Sequence, residues 1–254
     1  MPTVQIKKQH KVEIVENIAI SDNMYKLVIC APDIAKNASP GQFVSVLCDD
    51  LVLRRPFSIA GIEDDNIVLI YALKGQGTAY MAELNKGDNL DILGPLGKSF
   101  NITDQKALLL GAGVGIAPMI FLSQVLTNKN IPFQFLSGFR KNLSILQLKT
   151  PYSQIITDDG SSGFAGTVND YLASTIIQYG IEKIYTCGPI PVMRYAVEVA
   201  QKYNIDIEVA MEKKFACAVG VCMGCSIEVN KNGQIINQRI CKDGPVFDGK
   251  EVVW

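Results

Sequence analysis

Through the first hundred residues, Val- and Ile-rich apolar segments alternate with short polar breaks, and no stretch is long enough and periodic enough for a long helix. Segments 11–20, 24–31, 42–48, 55–62, 66–73 and 88–93 read as strands, separated by Asp-Asn, Pro-Gly and Lys-Gly-Asp turns. Six short strands without an intervening long helix predict an antiparallel β-barrel, with one short helix fitting near 78–84 and Gly94-Pro-Leu-Gly97 reading as the turn that ends the barrel. Past residue 100 the period changes. Strand-like segments at 106–110, 133–137, 153–157, 183–187 and 206–210 alternate with helical patterns near 117–128, 168–179 and 190–203, the signature of a five-stranded parallel α/β domain. At the carboxyl end, residues 227–230 and 235–240 read as strands around the turn signal Asn232-Gly233. The expected organisation is multi-domain β plus α/β: a barrel over 1–100, a nucleotide-binding domain over 101–213 and a small domain over 214–254.

Composition narrows the classes. The 254 residues are 48% hydrophobic, enough for two cores and an appendage. Lys and Arg total 24 against 25 Asp and Glu, so no basic footprint points to DNA or RNA. Residues 1–20 lack the apolar core of a signal peptide. The most apolar stretch, 107–122, is too short to span a bilayer and is broken by Gly111, Gly113, Gly115 and Pro118. A cytoplasmic protein with no membrane partner is expected. Seven cysteines, an odd number, argue against a disulfide framework, and Cys30 and Cys48 read as ordinary buried thiols.

The other cysteines carry the strongest chemical signal. Four residues separate Cys217 from Cys222, two separate Cys222 from Cys225, and Cys241 follows after fifteen more. This is the plant-type [2Fe–2S] spacing. If Asn232-Gly233 is the hairpin turn, position 225 lies opposite 240 and Cys241 arrives beside Cys225. Zinc sites more often bring two well-separated short-spaced pairs, so structural zinc stands as an alternative, with unrelated buried thiols behind it.

Five further motifs are weaker when taken singly. Arg55-Pro56-Phe57-Ser58 puts a permanent cation, a ring and a hydroxyl on one strand, with Arg55 and Phe57 on one face and Ser58 on the other unless the strand bends. Such a set suits a flavin dinucleotide, and also a plain surface strand. Lys74-Gly75-Gln76-Gly77-Thr78 opens the short helix and turns N–H groups toward an anion, or is a loop with Thr78 as N-cap. Residues 107–118 read as a strand, a glycine turn through Gly111, Gly113 and Gly115, and a helix start with Pro118 in its first turn, where a dinucleotide pyrophosphate can rest. Its spacing is G-x-G-x-G, and no acidic residue ends the next strand, which runs into Arg140-Lys141, so the usual NAD fingerprint is absent. Cys187-Gly188-Pro189 follows the fourth strand at a carboxyl end, where open sheets bind ligands; a core thiol before a turn is the bland reading. Asp158-Asp159 reads either as a ribose contact or as a solvated turn. The sole histidine, His10, reads as an exposed polar residue, and no residue is assigned to oxidising a substrate.

In this order the motifs resemble the ferredoxin-NADP reductase superfamily with a C-terminal [2Fe–2S] extension. The cysteine loop, with Cys241-Lys-Asp-Gly-Pro-Val-Phe247, resembles the electron-transfer subunits of class 1B, NAD-dependent dihydroorotate dehydrogenases, and the likeness covers essentially the whole chain. It implies an FAD-binding barrel, an NAD-binding domain and a cluster domain docked on a catalytic FMN-containing subunit, with two copies of each chain. It implies that Arg55, Pro56, Phe57, Ser58, Ile70, Tyr71, Ala72, Gly77 and Thr78 hold FAD. It further implies that Cys217, Cys222, Cys225 and Cys241 hold the cluster, and that Gly111, Gly113, Gly115, Cys187, Gly188 and Pro189 border NAD. Ala218 departs from the glycine expected after the first ligand.

NAD exchanges a two-electron hydride and a [2Fe–2S] centre carries one electron at a time, so FAD, which does both, belongs between them. The implied path runs from dihydroorotate through the partner's FMN, the cluster and FAD to NAD+, in pyrimidine biosynthesis. One alternative is an NADP-using reductase subunit of a hydrogenase or ferredoxin-linked complex, with Arg140 and Lys141 on the 2′-phosphate. An alternative of another class is a non-enzymatic zinc scaffold or sensor.

Overall fold

The computed structural model describes residues 8–49, 51–141 and 153–254. Six strands close into an antiparallel barrel: β1 (Lys8–Ser21), β2 (Met24–Cys30), β3 (Phe43–Leu47), β4 (Arg55–Glu63), β5 (Asn66–Ala72) and β6 (Asn89–Leu96), in the order β1-β2-β5-β4-β3-β6. Inward positions recur every second residue, so Ile14, Leu27, Ile29, Val44, Val46, Ile67 and Leu69 fill the interior. β6 closes the barrel by pairing with both β1 and β3. It runs on through Gly94-Pro95, which the sequence suggests as a turn, and Gly94 makes room there for Val44. Helix α1 (Pro32–Asn37), which the apolar pattern does not announce, follows β2 and starts on a proline. Helix α2 (Gln76–Glu83) begins two residues earlier than expected. Thr78 is therefore its third residue rather than its N-cap, and the hydroxyl accepts the N–H groups of Lys74 and Gly75.

The second domain holds the five expected parallel strands and two more. β7 (Ala107–Ala112), β8 (Phe133–Phe139), β9 (Ser153–Thr157), β11 (Lys183–Cys187) and β12 (Asp206–Ala210) are joined by the short β10 (Phe164–Ala165) at one edge and the antiparallel β15 (Val246–Asp248) at the other. The order is β10-β9-β8-β7-β11-β12-β15. β7 and β11 are buried at every position, as a sheet covered on both faces requires. Helix α3 (Ile116–Asn128) packs in one apolar layer through Met119 and Leu122. Helices α4 (Val168–Tyr179) and α5 (Ile190–Lys202) pack in another through Leu172, Ile176, Met193 and Val197. α3 also braces the barrel, where the Gln124 amide lies against Gly61 of β4.

β13 (Ser226–Lys231) and β14 (Gln234–Arg239) form the hairpin, with Asn232 and Gly233 both at positive φ, as a type I′ turn demands. A short helix, α6 (Ile240–Asp243), follows, and β15 then adds to the α/β sheet. The tail returns to β13 through Asn230 N–H to Glu251 O, 2.7 Å, and Val253 N–H to Glu228 O, 3.1 Å. Among the described residues no helix is long and apolar enough to cross a membrane. All seven cysteines are free, but Cys30, at the end of β2, is exposed rather than buried. Cys48 is fully buried, as expected.

Candidate functional site

Where the barrel, the α/β sheet and the C-terminal segment meet, a cavity of about 770 Å³ opens. Arg55, Pro56, Phe57 and Ser58 all line it, so both faces of β4 contribute at this end, and Ile70, Tyr71 and Ala72 of β5 lie alongside. Phe57 meets Tyr71 edge to face at 5.9 Å, and Tyr71 stacks on Tyr25 at 5.3 Å. Phe57 and Tyr71 make an aromatic wall in the cavity that the first turn of α2 also lines, and Tyr25 backs Tyr71.

That turn is built for an anion. The first N–H groups of a helix have no intrahelical partner and carry its positive end. The Arg55 side chain lies across Gly77 so closely that a Cβ at 77 would meet its Cγ and Nε at 3.1 Å. Glycine is what allows the guanidinium and the helix N-terminus to converge. Five cationic side chains (Arg54, Arg55, Lys74, Lys213, Lys214) line the cavity against one carboxylate, Glu212. Arg54 is held by Asp91 at 2.8 Å. A cleft with an aromatic wall at one end and a cation over a helix start at the other fits a dinucleotide of FAD's shape and charge.

The sheet supplies the facing wall. Gly115, Cys187, Gly188 and Pro189 line the cavity at the carboxyl ends of β7 and β11. A Cβ on Gly115 would stand 2.4 Å from the Cys187 carbonyl oxygen and 2.7 Å from Gly188 Cα, so the two turns touch only because residue 115 has no side chain. Gly111 and Gly113, grouped with Gly115 by the motif, lie outside the cavity wall. Gly111 packs beneath α3, where a Cβ would meet Ile116 Cα at 2.9 Å, and Gly113 takes the positive φ of the turn into α3. Asp159 turns its carboxylate onto Ser161 of its own loop.

Burial pushes the Cys187 thiol up to about 12, and the nearby Glu212 charge adds to it. The thiol ionises at 9.0 when free of the fold, so its contribution to stability is complete below that pH and is lost as pH rises toward about 12. At pH 8, iodoacetamide is expected to modify exposed Cys30 and spare Cys187. Peptide mass mapping checks this; rapid alkylation of Cys187 in the folded chain would contradict it.

The cysteine loop sits next to the cavity. The Cys217 sulfur receives N–H groups from Val221 at 3.3 Å and Cys222 at 3.4 Å, and Gly224 N–H reaches the Cys222 sulfur at 3.4 Å. Desolvation by itself raises Cys217, but donors from Cys222, Val219 and Val221 outweigh it and bring the thiol down to about 6. On the other side, Ile240 N–H bonds to Cys225 O at 3.2 Å, extending the hairpin by one pair, and Cys241 N–H meets the Cys225 sulfur at 3.4 Å. Burial first, then the hydrogen bond shared with Cys225, pushes Cys241 up to about 12.

The cysteines thus come as two pairs, each joined by a backbone N–H on a sulfur, Cys222 onto Cys217 and Cys241 onto Cys225. Among the described residues no three His, Cys, Asp or Glu side chains converge on a single-ion site. Two thiol pairs set among backbone N–H donors fit the four-thiolate donor set that would hold a [2Fe–2S] centre. Ala218 takes the left-handed conformation at φ 56 that a glycine would hold freely, with its methyl buried in return.

Two residues that the motifs do not reveal tie the site together. Phe215, two positions before Cys217, lines the cavity and meets Phe43 of β3 edge to face at 5.3 Å. Arg239 donates to Gly220 O at 2.8 Å and pairs with Asp243 at 2.8 Å, clamping the cysteine loop onto α6. Gly220, at φ 85, presses against Lys242 of the same helix.

A barrel with a dinucleotide cleft, a parallel α/β domain facing it and a [2Fe–2S] segment define a flavin- and nicotinamide-dependent electron-transfer protein of the ferredoxin reductase fold. A structure of NADH-dependent reduced ferredoxin-NADP oxidoreductase matches at TM-score 0.84 and 26% identity, over 100% of this chain and 92% of that one. The ferredoxin reductase of carbazole 1,9a-dioxygenase shares the fold at TM-score 0.67 and 19% identity, over 81% of this chain and 68% of that one.

Residues 212–253 match the family model of the iron–sulfur cluster binding domain of dihydroorotate dehydrogenase B. The electron transfer subunit of dihydroorotate dehydrogenase B (NAD(+)) from Desulforamulus reducens is 34% identical over 92% of this chain and 94% of its own length. That of Clostridium acetobutylicum is 34% identical over 98% and 99%. The chain belongs to this family of dihydroorotate dehydrogenase B electron transfer subunits.

Proposed function

We propose that this chain passes electrons between a catalytic dihydroorotate dehydrogenase subunit and NAD+, using [2Fe–2S] and FAD centres held at the residues described above. FAD supplies the change from one-electron to two-electron traffic. Arg55 and the first turn of α2 seat its pyrophosphate, while Phe57, Ser58 and Tyr71 orient the ring system. Gly115, Cys187, Gly188 and Pro189 hold the nicotinamide end of NAD over the same cavity, and Cys217, Cys222, Cys225 and Cys241 ligate the iron. The observation that carries this reading is the position of Phe215: it stands in the cavity wall two residues from a cluster ligand, so the dinucleotide site and the cysteine loop share a boundary.

The partner is the FMN-containing catalytic subunit, in a complex of two copies of each chain. The pair works in the cytoplasm, where thiols stay reduced. Co-expression with that subunit is expected to give a complex that reduces NAD+ when supplied with dihydroorotate, with the catalytic subunit alone failing to use NAD+. Equal NAD+ reduction with and without this chain would refute the assignment.

A further inference from the structure

We infer that Asn17 is a positioning residue of the dinucleotide cavity, a single amide that locks the helix bearing the anion seat to the strand bearing the aromatic wall. This rests on the FAD reading above. Asn17 stands on β1, outside the cavity lining, and no motif marks it. Its Nδ2 donates to two carbonyls at the carboxyl end of α2, Met81 O and Leu84 O, both at 2.8 Å. Its Oδ1 accepts the Tyr71 hydroxyl at 3.1 Å. One side chain therefore bonds two carbonyls at the carboxyl end of α2, Leu84 O and Met81 O, the latter already capped by the Leu84 N–H at 3.3 Å, and fixes Tyr71, which is buried and packs on Phe57.

The backbone is shaped for this. Pairing of β1 with β2 slips between Ile14 and Glu16 and again between Ala19 and Ser21, so Asn17 sits on a short regular stretch between two irregularities. Bulges re-aim side chains at such places. Only an amide serves both ends, because the helix presents acceptors and the phenol presents a donor. The chain after α2 is tied to β1 as well, by Ile14 N–H to Asp88 O at 2.8 Å and Gly87 N–H to Ile14 O at 2.9 Å, but these bonds lie beyond the helix end. Asn17 is the side chain that holds the end of α2 itself.

The two ends of the lock differ in what else supports them. Tyr71 keeps its ring contacts with Tyr25 and Phe57 whatever stands at 17, so the aromatic wall survives loss of the amide. Packing of Met81 in the barrel core holds α2 against the barrel, and the carboxyl-end bonds add the directional restraint along its axis, toward the seat made by Gly77 and Arg55. Losing the amide should weaken a ligand that carries a pyrophosphate more than one that carries only the ring system.

The test titrates the full-length deflavinated chain with FAD and, separately, with riboflavin, following flavin fluorescence. For Asn17→Leu, FAD affinity is expected to fall about tenfold, as the loss of two side-chain-to-carbonyl bonds implies, and riboflavin affinity to change less than about twofold. Asn17→Asp keeps an acceptor for Tyr71 but opposes a carboxylate to the two carbonyls, so it should show the same FAD-selective loss. It supplies the answer if the leucine variant does not fold. Tyr71→Phe, which leaves the helix bonds in place, should weaken FAD less than about threefold. Unchanged FAD binding in a folded Asn17 variant, or an equal loss of FAD and riboflavin, overturns the inference while leaving the FAD site standing. If the unsubstituted chain takes up no FAD, the cavity assignment itself falls and the inference with it.

Discussion

Cys241→Ser is expected to cost the chain its iron–sulfur centre while leaving FAD bound. Cys241 lies on α6 and faces Cys225 across the extension of the hairpin, so its sulfur completes the second thiol pair. A serine oxygen is a harder and far less acidic donor than a thiolate, and ligation by four cysteines is what these clusters require. Nothing in the cavity depends on the side chain at 241: Arg55, Gly77 and Tyr71 lie in the barrel and on α2. Iron is expected to fall from about two per chain to near zero, with FAD content and NADH-driven flavin reduction retained. Onward transfer from FAD to the catalytic partner subunit should be lost. Iron assay, the visible spectrum and NADH titration of the co-expressed complex read these outcomes. A variant with full iron, or one that loses FAD together with iron, would contradict the separation of the two sites.

The second large effect is expected at Gly115. A methyl there would lie 2.4 Å from a backbone carbonyl oxygen and 2.6 Å from its carbon, and neither atom can swing aside as a side-chain tip can. Gly115→Ala must push the start of α3 away from the turn after β11, the two segments proposed above to hold the nicotinamide. A shift of about 1 Å at a reacting pair costs about a hundredfold in rate, and overpacking costs about 1–3 kcal/mol in stability. NADH oxidation should fall by that factor with FAD content unchanged. Gly113→Ala is the control: φ is 56 but no atom lies within 4 Å of the added Cβ, so only about 1–2 kcal/mol of backbone strain is expected. Stopped-flow reduction by NADH and thermal melts compare the two. Equal effects, or a faster Gly115 variant, would show that the two turns do not form the site.

Much of this site is legible in the sequence because its parts are local. The cysteine spacing and the Asn232-Gly233 turn together set which residues face each other, and the structure pairs Ser226 with Arg239 and brings 225 opposite 240. The barrel strands announce themselves by alternation, and the parallel strands by apolar runs between helices.

What escapes the sequence depends on long-range contact. β15 joins the α/β sheet because β12 offers an open edge, a fact that no three-residue segment carries. β6 passes through Gly94-Pro95 because neighbours on both sides hold it, although that dipeptide reads as a turn. The three glycines of the 111–115 turn look equivalent in the motif. They separate only when Cys187, far along the chain, is brought against one of them. Phe215 and Asn17 are ordinary residues in ordinary segments. Their roles come from what lies across the cavity wall or behind it.

Anaerobic titration of the purified chain with NADH, followed by visible absorption and electron paramagnetic resonance, tests the central claim most directly. Bleaching of the flavin and iron–sulfur bands within one titration, with a reduced [2Fe–2S] signal appearing, is the expected result. A chain that binds zinc without iron, or flavin that is reduced while the cluster stays oxidised, would contradict it.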